Sequence, residues 1–167
     1  MESGRYAEEN KFLNGYLNYV FIIPLIMFLI FYYYTPDIEP SNDIFPLIIV
    51  TITLAFIPLM FGKMTTIVQY DNLIVSFGYI GLIKKEIALS NIQESEIVDF
   101  NPLKQFGGWG IKIGKYNDKK TLLFALSGDK GFLVKLKEQI RYYGRGVDQI
   151  IIGSKQPEKL YEAIQPY

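Results

Sequence analysis

The 167 residues of this chain include neither histidine nor cysteine. That removes Cys nucleophiles, His general bases and the commonest zinc ligands together, and leaves no disulfide framework. Acid–base chemistry would then fall to carboxylates such as Glu94, Glu96 and Asp99. These lie on one strand-like stretch, and a solvated acidic face accounts for them more simply than a metal or carboxylate pair does. The stretch from Gly108 to Tyr116 has the glycine and lysine content of a phosphate loop. A Walker A loop needs glycine where Trp109 stands and Ser or Thr where Tyr116 stands, and no helix follows whose N-terminus would hold phosphate. The sequence predicts no catalytic residue, no metal site and no cofactor.

Binding chemistry is better represented. Trp109 is the only tryptophan and is flanked by Gly107, Gly108 and Gly110, which permit a bulge or a close backbone approach in a strand. The indole either fills the interior of a sheet or presents a flat surface to a partner. Lys112 follows three residues later, as a solvated strand residue or as part of the same surface. From Lys63 onward Lys and Arg exceed Asp and Glu by four. Lys84 with Lys85, Lys119 with Lys120, and Lys135 with Lys137 form a mildly basic face, suited to anionic headgroups or merely to solvating a β domain and blunting its edges.

The elements that must carry these residues divide the chain in two. Phe12 to Pro36 and Ile44 to Gly62 hold no charged side chain over 25 and 19 residues. Such runs predict membrane-spanning helices at about 17–34 and 44–61. Tyr16, Tyr19, Tyr32, Tyr33 and Tyr34 would sit at the headgroup boundaries. The linker 35–43 has three acids and no Lys or Arg, whereas Arg5, Lys11 and Lys63 flank the other ends. This predicts a two-pass integral membrane protein of the cytoplasmic membrane, both termini cytoplasmic, with a leader at 1–16. Neither run contains an ionisable residue, so the helices would anchor rather than transport.

Residues 63–167 read as one β domain, with period-two alternation over most of their length. Strands are predicted at 65–70 and 73–79, turning at Asp71-Asn72, and at 82–89, 93–100, 108–113, 121–126, 131–137 and 148–153. The segment 138–147 is ambiguous. Pro157 opens a closing helix over 157–165, with Leu160, Ala163 and Ile164 on one face to cap the sheet.

Phe106-Gly107-Gly108-Trp109-Gly110-Ile111-Lys112 resembles the GGWGIR signature of bacterial pleckstrin-homology-like (PH-like) domains in small membrane-anchored proteins. Ile151 to Leu160 is similar to that family's closing strand and helix start, and Gly131 to Leu136 stands where it has a Gly-led apolar strand. Lys112 replaces the arginine, and 138–147 is longer than the family's tight turn. The resemblance implies a transmembrane hairpin followed by a mainly-β PH-like barrel or sandwich with a C-terminal helix. With catalytic chemistry set aside, the chain reads by exclusion as a non-enzymatic, membrane-anchored binding module for a protein partner, or for itself in an oligomer. The alternatives are an anionic-lipid-binding or lipid-sensing protein and an accessory subunit of a larger membrane complex. The basic-loop pattern of phosphoinositide recognition is missing, since the first hairpin turns on Asp71-Asn72, and nucleic-acid binding has no better basis. The candidate interaction surface is Trp109, Lys112, Lys84, Lys85, Lys135 and Lys137, and the expected partners are the bilayer and an unidentified protein or second copy.

Overall fold

The computed structural model describes residues 5–12, 17–34, 48–53, 56 and 59–165. The chain is mainly β, in two sheets. Strands β1 (Tyr6–Lys11), β2 (Lys63–Gln69), β3 (Asn72–Phe77) and β4 (Ile83–Ala88) form one antiparallel sheet in that order. The second sheet contains β5 (Ile92–Asp99), β6 (Gly110–Tyr116), β7 (Lys119–Ala125), β8 (Lys130–Tyr142) and β9 (Arg145–Gly153), in the order β5-β8-β9-β7-β6. Within it β7 and β9 run parallel, Thr121 opposite Gln149 and Phe124 opposite Ile152. Helices α1 (Leu17–Tyr34), α2 (Pro102–Phe106) and α3 (Pro157–Ile164) accompany the sheets.

Side-chain alternation builds the four-stranded sheet. Met64, Thr66 and Val68 on β2, and Leu73, Val75 and Phe77 on β3, turn inward while their neighbours stay half exposed, the pattern of a sheet with one packed face. The hairpin pairs Gln69 with Asn72, so its turn is Tyr70-Asp71, with Tyr70 at φ +51°. That is one residue earlier than Asp71-Asn72.

The five-stranded sheet is covered on both faces. Leu122, Phe124, Phe132, Val134, Ile150 and Ile152 face the four-stranded sheet and α3 in the main core. Leu123, Ala125, Leu133 and Ile151 form a second cluster with Phe100 and Phe106. Two covered faces explain why β7 and β9 read as apolar runs, Leu122 to Leu126 and Ile150 to Ile152. Helix α3 starts at Pro157, which fixes its first turn. It buries Leu160 and Ile164 at the i, i+4 spacing that puts both on one face.

Strand β1 occupies what the sequence reading treated as a leader. Glu8 and Asn10 point inward and are buried. Glu8 accepts from the Tyr6 hydroxyl at 2.6 Å, the Ser154 hydroxyl at 2.6 Å and the Lys155 backbone N–H at 2.7 Å. Asn10 donates through Nδ2 to the Gly153 carbonyl at 3.3 Å. Burial of the Tyr6 phenol, reinforced by its bond to Glu8, raises its pKa.

The transmembrane hairpin requires correction. Among the described residues no helix is long and apolar enough to cross a membrane. Helix α1 has 18 residues with Pro24 inside it, and at about 1.5 Å per residue it reaches roughly 27 Å, short of a hydrocarbon core about 30 Å thick. Helical backbone from the second run is described only in short pieces, at 48–53, 56 and 59–61. The two-pass fold, the membrane and transmembrane assignments and the integral-membrane location are therefore not supported. The acidic linker 35–43 and Pro46 and Pro58 lie outside the described residues.

Candidate functional site

Helix α2 delivers the tryptophan motif. Asn101 caps it, its Oδ1 accepting from the Lys104 N–H at 2.9 Å, while Gln105 Oε1, one residue beyond the capping-box position, accepts from the Asn101 N–H at 2.7 Å. Pro102 takes the first turn. Gly107 ends the helix at φ +73°, its N–H reaching the Leu103 carbonyl at 3.2 Å, and the Gly108 N–H reaches the Pro102 carbonyl at 2.9 Å. Gly108 and Gly110 continue at φ +127° and +107°. A Cβ at any of the three would meet nothing within 4 Å. Their purpose is the left-handed backbone that joins α2 to β6, not a close packing contact.

Trp109 emerges from this turn 38% exposed. Its Nε1 donates to the Gly128 carbonyl at 3.1 Å in the β7–β8 turn. The ring is thus neither core nor free platform, but one wall of a cleft of about 430 Å³ shared with Phe12, Phe61, Ile111, Lys112 and Leu126. A second cleft of about 490 Å³ shares Phe61, Ile111 and Lys112 with the first and adds Ile83, Ile113, Tyr142, Tyr143 and Arg145. Together they make an apolar and aromatic trough along β6, with Lys112 in both parts and Arg145 at one end. Among the residues that line it there is no Asp or Glu.

Tyr142 stands edge-on to Phe124 at 5.9 Å and to Tyr143 at 4.7 Å. Burial, followed by the neighbouring Tyr143, pushes its hydroxyl up to about 12, so it stays neutral and can donate a hydrogen bond throughout the physiological range.

Four of the five candidate lysines are engaged by neighbours. Lys84 pairs with Glu86 at 2.6 Å, and Lys85 donates to the Arg141 carbonyl at 3.3 Å. Lys135 bridges Glu94 at 2.9 Å and Glu96 at 3.4 Å, and Lys137 donates to the Ser90 carbonyl at 2.7 Å. The hydrogen bond holds Glu94 below the usual carboxylate range and raises Lys135. Lys112 alone of the five lines the trough beside Trp109, and it forms no ion pair or side-chain hydrogen bond among the described residues. Sequence reasoning missed Arg145, Tyr142 and Tyr143, although Tyr143-Gly144 between alternating residues is a two-residue turn signal; both have positive φ, +46° and +75°.

A further concavity, about 700 Å³, lies elsewhere, beside α3 and β5. Arg5, Asp71, Glu94 and Lys137 line it with charges of both signs, which favours no one class of ligand. Among the described residues no group of three or more Asp or Glu is placed to hold a metal ion.

No family model matches this chain, and neither a curated protein nor a solved structure does.

Proposed function

We propose that this chain is a non-enzymatic binding module that receives a protein partner in the trough along β6. The observation that carries the reading is the convergence of Trp109, Phe61, Ile111 and Tyr142 on one trough, with an unpaired Lys112 on the strand that forms its edge. A concave apolar lining with few convergent polar groups is the general form of a recognition site, and aromatic residues with a cation are what binding hot spots favour. Four of the seven residues that resemble the PH-like signature, Trp109 to Lys112, line this trough, which supports the reading. The absence of His and Cys from the sequence removes Cys nucleophiles and His general bases as competing readings.

The reading is tested by placing a photo-crosslinking residue at position 112 of the full chain, and separately at position 135, in the cells that make it. The expected result is a discrete protein adduct from 112 that is absent from 135 and lost when Tyr143→Ala and Arg145→Glu are added. Equal adducts from both positions, or none from 112, would overturn it.

A further inference from the structure

Strand β6 is the last strand of its sheet, and among the described residues nothing pairs with its outer edge. Asn117 and Asp118 both have positive φ, +50° and +59°, between the paired Tyr116 and Lys119. In a two-residue hairpin the pair flanking the turn exchanges both backbone hydrogen bonds. Counting back along β6, Tyr116, Gly114 and Lys112 direct their N–H and C=O toward β7. Ile111, Ile113 and Lys115 direct theirs outward, and no turn, loop or side-chain hydrogen bond reaches them among the described residues. Strand β4 is likewise the last of the other sheet, and its Ile83 faces the same cleft as Ile111 and Ile113.

We infer that the partner enters as an extended segment that adds a strand to the outer edge of β6, setting alternate apolar side chains into the trough beside Ile111 and Ile113 and an Asp or Glu on its other face beside Lys112. This rests on the trough being the recognition site and names the class of its occupant. Main-chain pairing to an exposed edge supplies affinity, and pockets for alternate side chains supply selectivity. Charge decides between possible strands. The trough and its edge carry Lys112, Lys115 and Arg145, and no residue lining the trough is acidic. A second copy pairing β6 to β6 would bring these cations together, whereas an acidic strand neutralises them.

The test pans a displayed library of random decapeptides against the full-length chain and measures binding of the selected peptides. The expected selection alternates apolar and other residues with at least one Asp or Glu. Lys112→Glu should weaken binding about tenfold or more. Ile113→Pro deletes one outward N–H without touching the β7 ladder and should weaken it by a similar factor, while Ile113→Val should not. Because Ile113→Pro could disturb folding, amide exchange on the unaltered chain gives a second reading: peptide addition should slow exchange at Ile111, Ile113 and Lys115. Peptides that bind the trough, as shown by loss with Lys112→Glu, yet tolerate Ile113→Pro and leave those amides unprotected would sink strand addition while leaving the recognition site intact. Selection of no peptide, or a concentration-dependent dimer broken by Ile113→Pro, would overturn the acidic-strand assignment.

Discussion

The Ser154 hydroxyl donates a 2.6 Å hydrogen bond to Glu8 Oε2 across 146 residues of chain. With Tyr6 on the same oxygen and the Lys155 N–H on the other, one buried carboxylate closes β1 onto the turn that launches α3. Glu8→Ala strands three donors in a buried site. It should cost about 2–3 kcal/mol, the usual penalty for unsatisfying buried groups bonded to a charge. Glu8→Gln keeps the shape but cannot accept from all three, and should cost less. Urea unfolding followed by circular dichroism checks the order, which a costlier Glu8→Gln would reverse.

Gly78 sits at φ +83°, where a Cβ would lie 2.8 Å from the carbonyl oxygens of both Leu59 and Met60. Its N–H bonds to the Lys63 carbonyl at 2.8 Å, and the next N–H, of Tyr79, reaches the Leu59 carbonyl at 2.9 Å. Gly78→Ala therefore combines backbone strain with a clash against main chain that cannot rotate away. The expected loss exceeds about 2 kcal/mol, visible as a lower midpoint in thermal unfolding. Gly128→Ala, at φ +79° but with open space around it, should cost only the strain and lose less.

What the sequence revealed, and what it hid, follows from where each residue's partner lies. Met64 to Val68 and Leu73 to Phe77 carry their own burial pattern, so β2 and β3 are legible to within two residues. Strand β1 is not, because Glu8 and Asn10 face inward and alternation rules read such residues as outward; their partners at 153–155 lie some 145 residues away. The parallel pairing of β7 with β9 is equally hidden, since a run such as Ile150 to Ile152 records burial on both faces but not which neighbour provides it. The first apolar run was legible as a helix over 17–34, the bounds of α1; what it did not settle was a membrane crossing, since among the described residues no helix is long and apolar enough for one. At the site, Trp109 and Lys112 stood out through their glycines. The partners of the other lysines were unevenly legible: Glu86 stands two residues from Lys84 on the same strand, whereas Glu94, Glu96 and the carbonyls of Ser90 and Arg141 lie on other segments from the lysines they meet.

The Tyr142 hydroxyl is raised to about 12 by burial and by Tyr143. A phenol that ionises near 10 in the unfolded chain and near 12 in the folded one contributes stability that is complete below pH 10 and is lost as pH rises toward 12. Tyr6 shifts in the same direction, so the decisive comparison is between the chain and its Tyr142→Phe variant. Between pH 9 and pH 11 the unaltered chain should lose more stability than the variant. Equal losses in paired urea titrations would show that Tyr142 ionises as freely folded as unfolded.

Trp109 is the only indole in the chain, so its emission reports on the trough alone. At 38% exposure, tethered through Nε1 to Gly128, it should be reached by acrylamide in the free chain and shielded when a strand occupies the trough. Trp109→Phe keeps much of the apolar wall but drops the bond to the Gly128 carbonyl, an acceptor that water can still reach. Its stability cost should stay at about 1 kcal/mol, whereas its effect on peptide affinity should be larger, because aromatic anchors carry a large share of binding energy at recognition surfaces. Quenching titrations with and without a selected peptide, set beside unfolding of Trp109→Phe, separate the two roles. A variant that unfolds far more easily yet binds peptide as tightly would make the indole a packing residue and move recognition to the Tyr142 end of the trough.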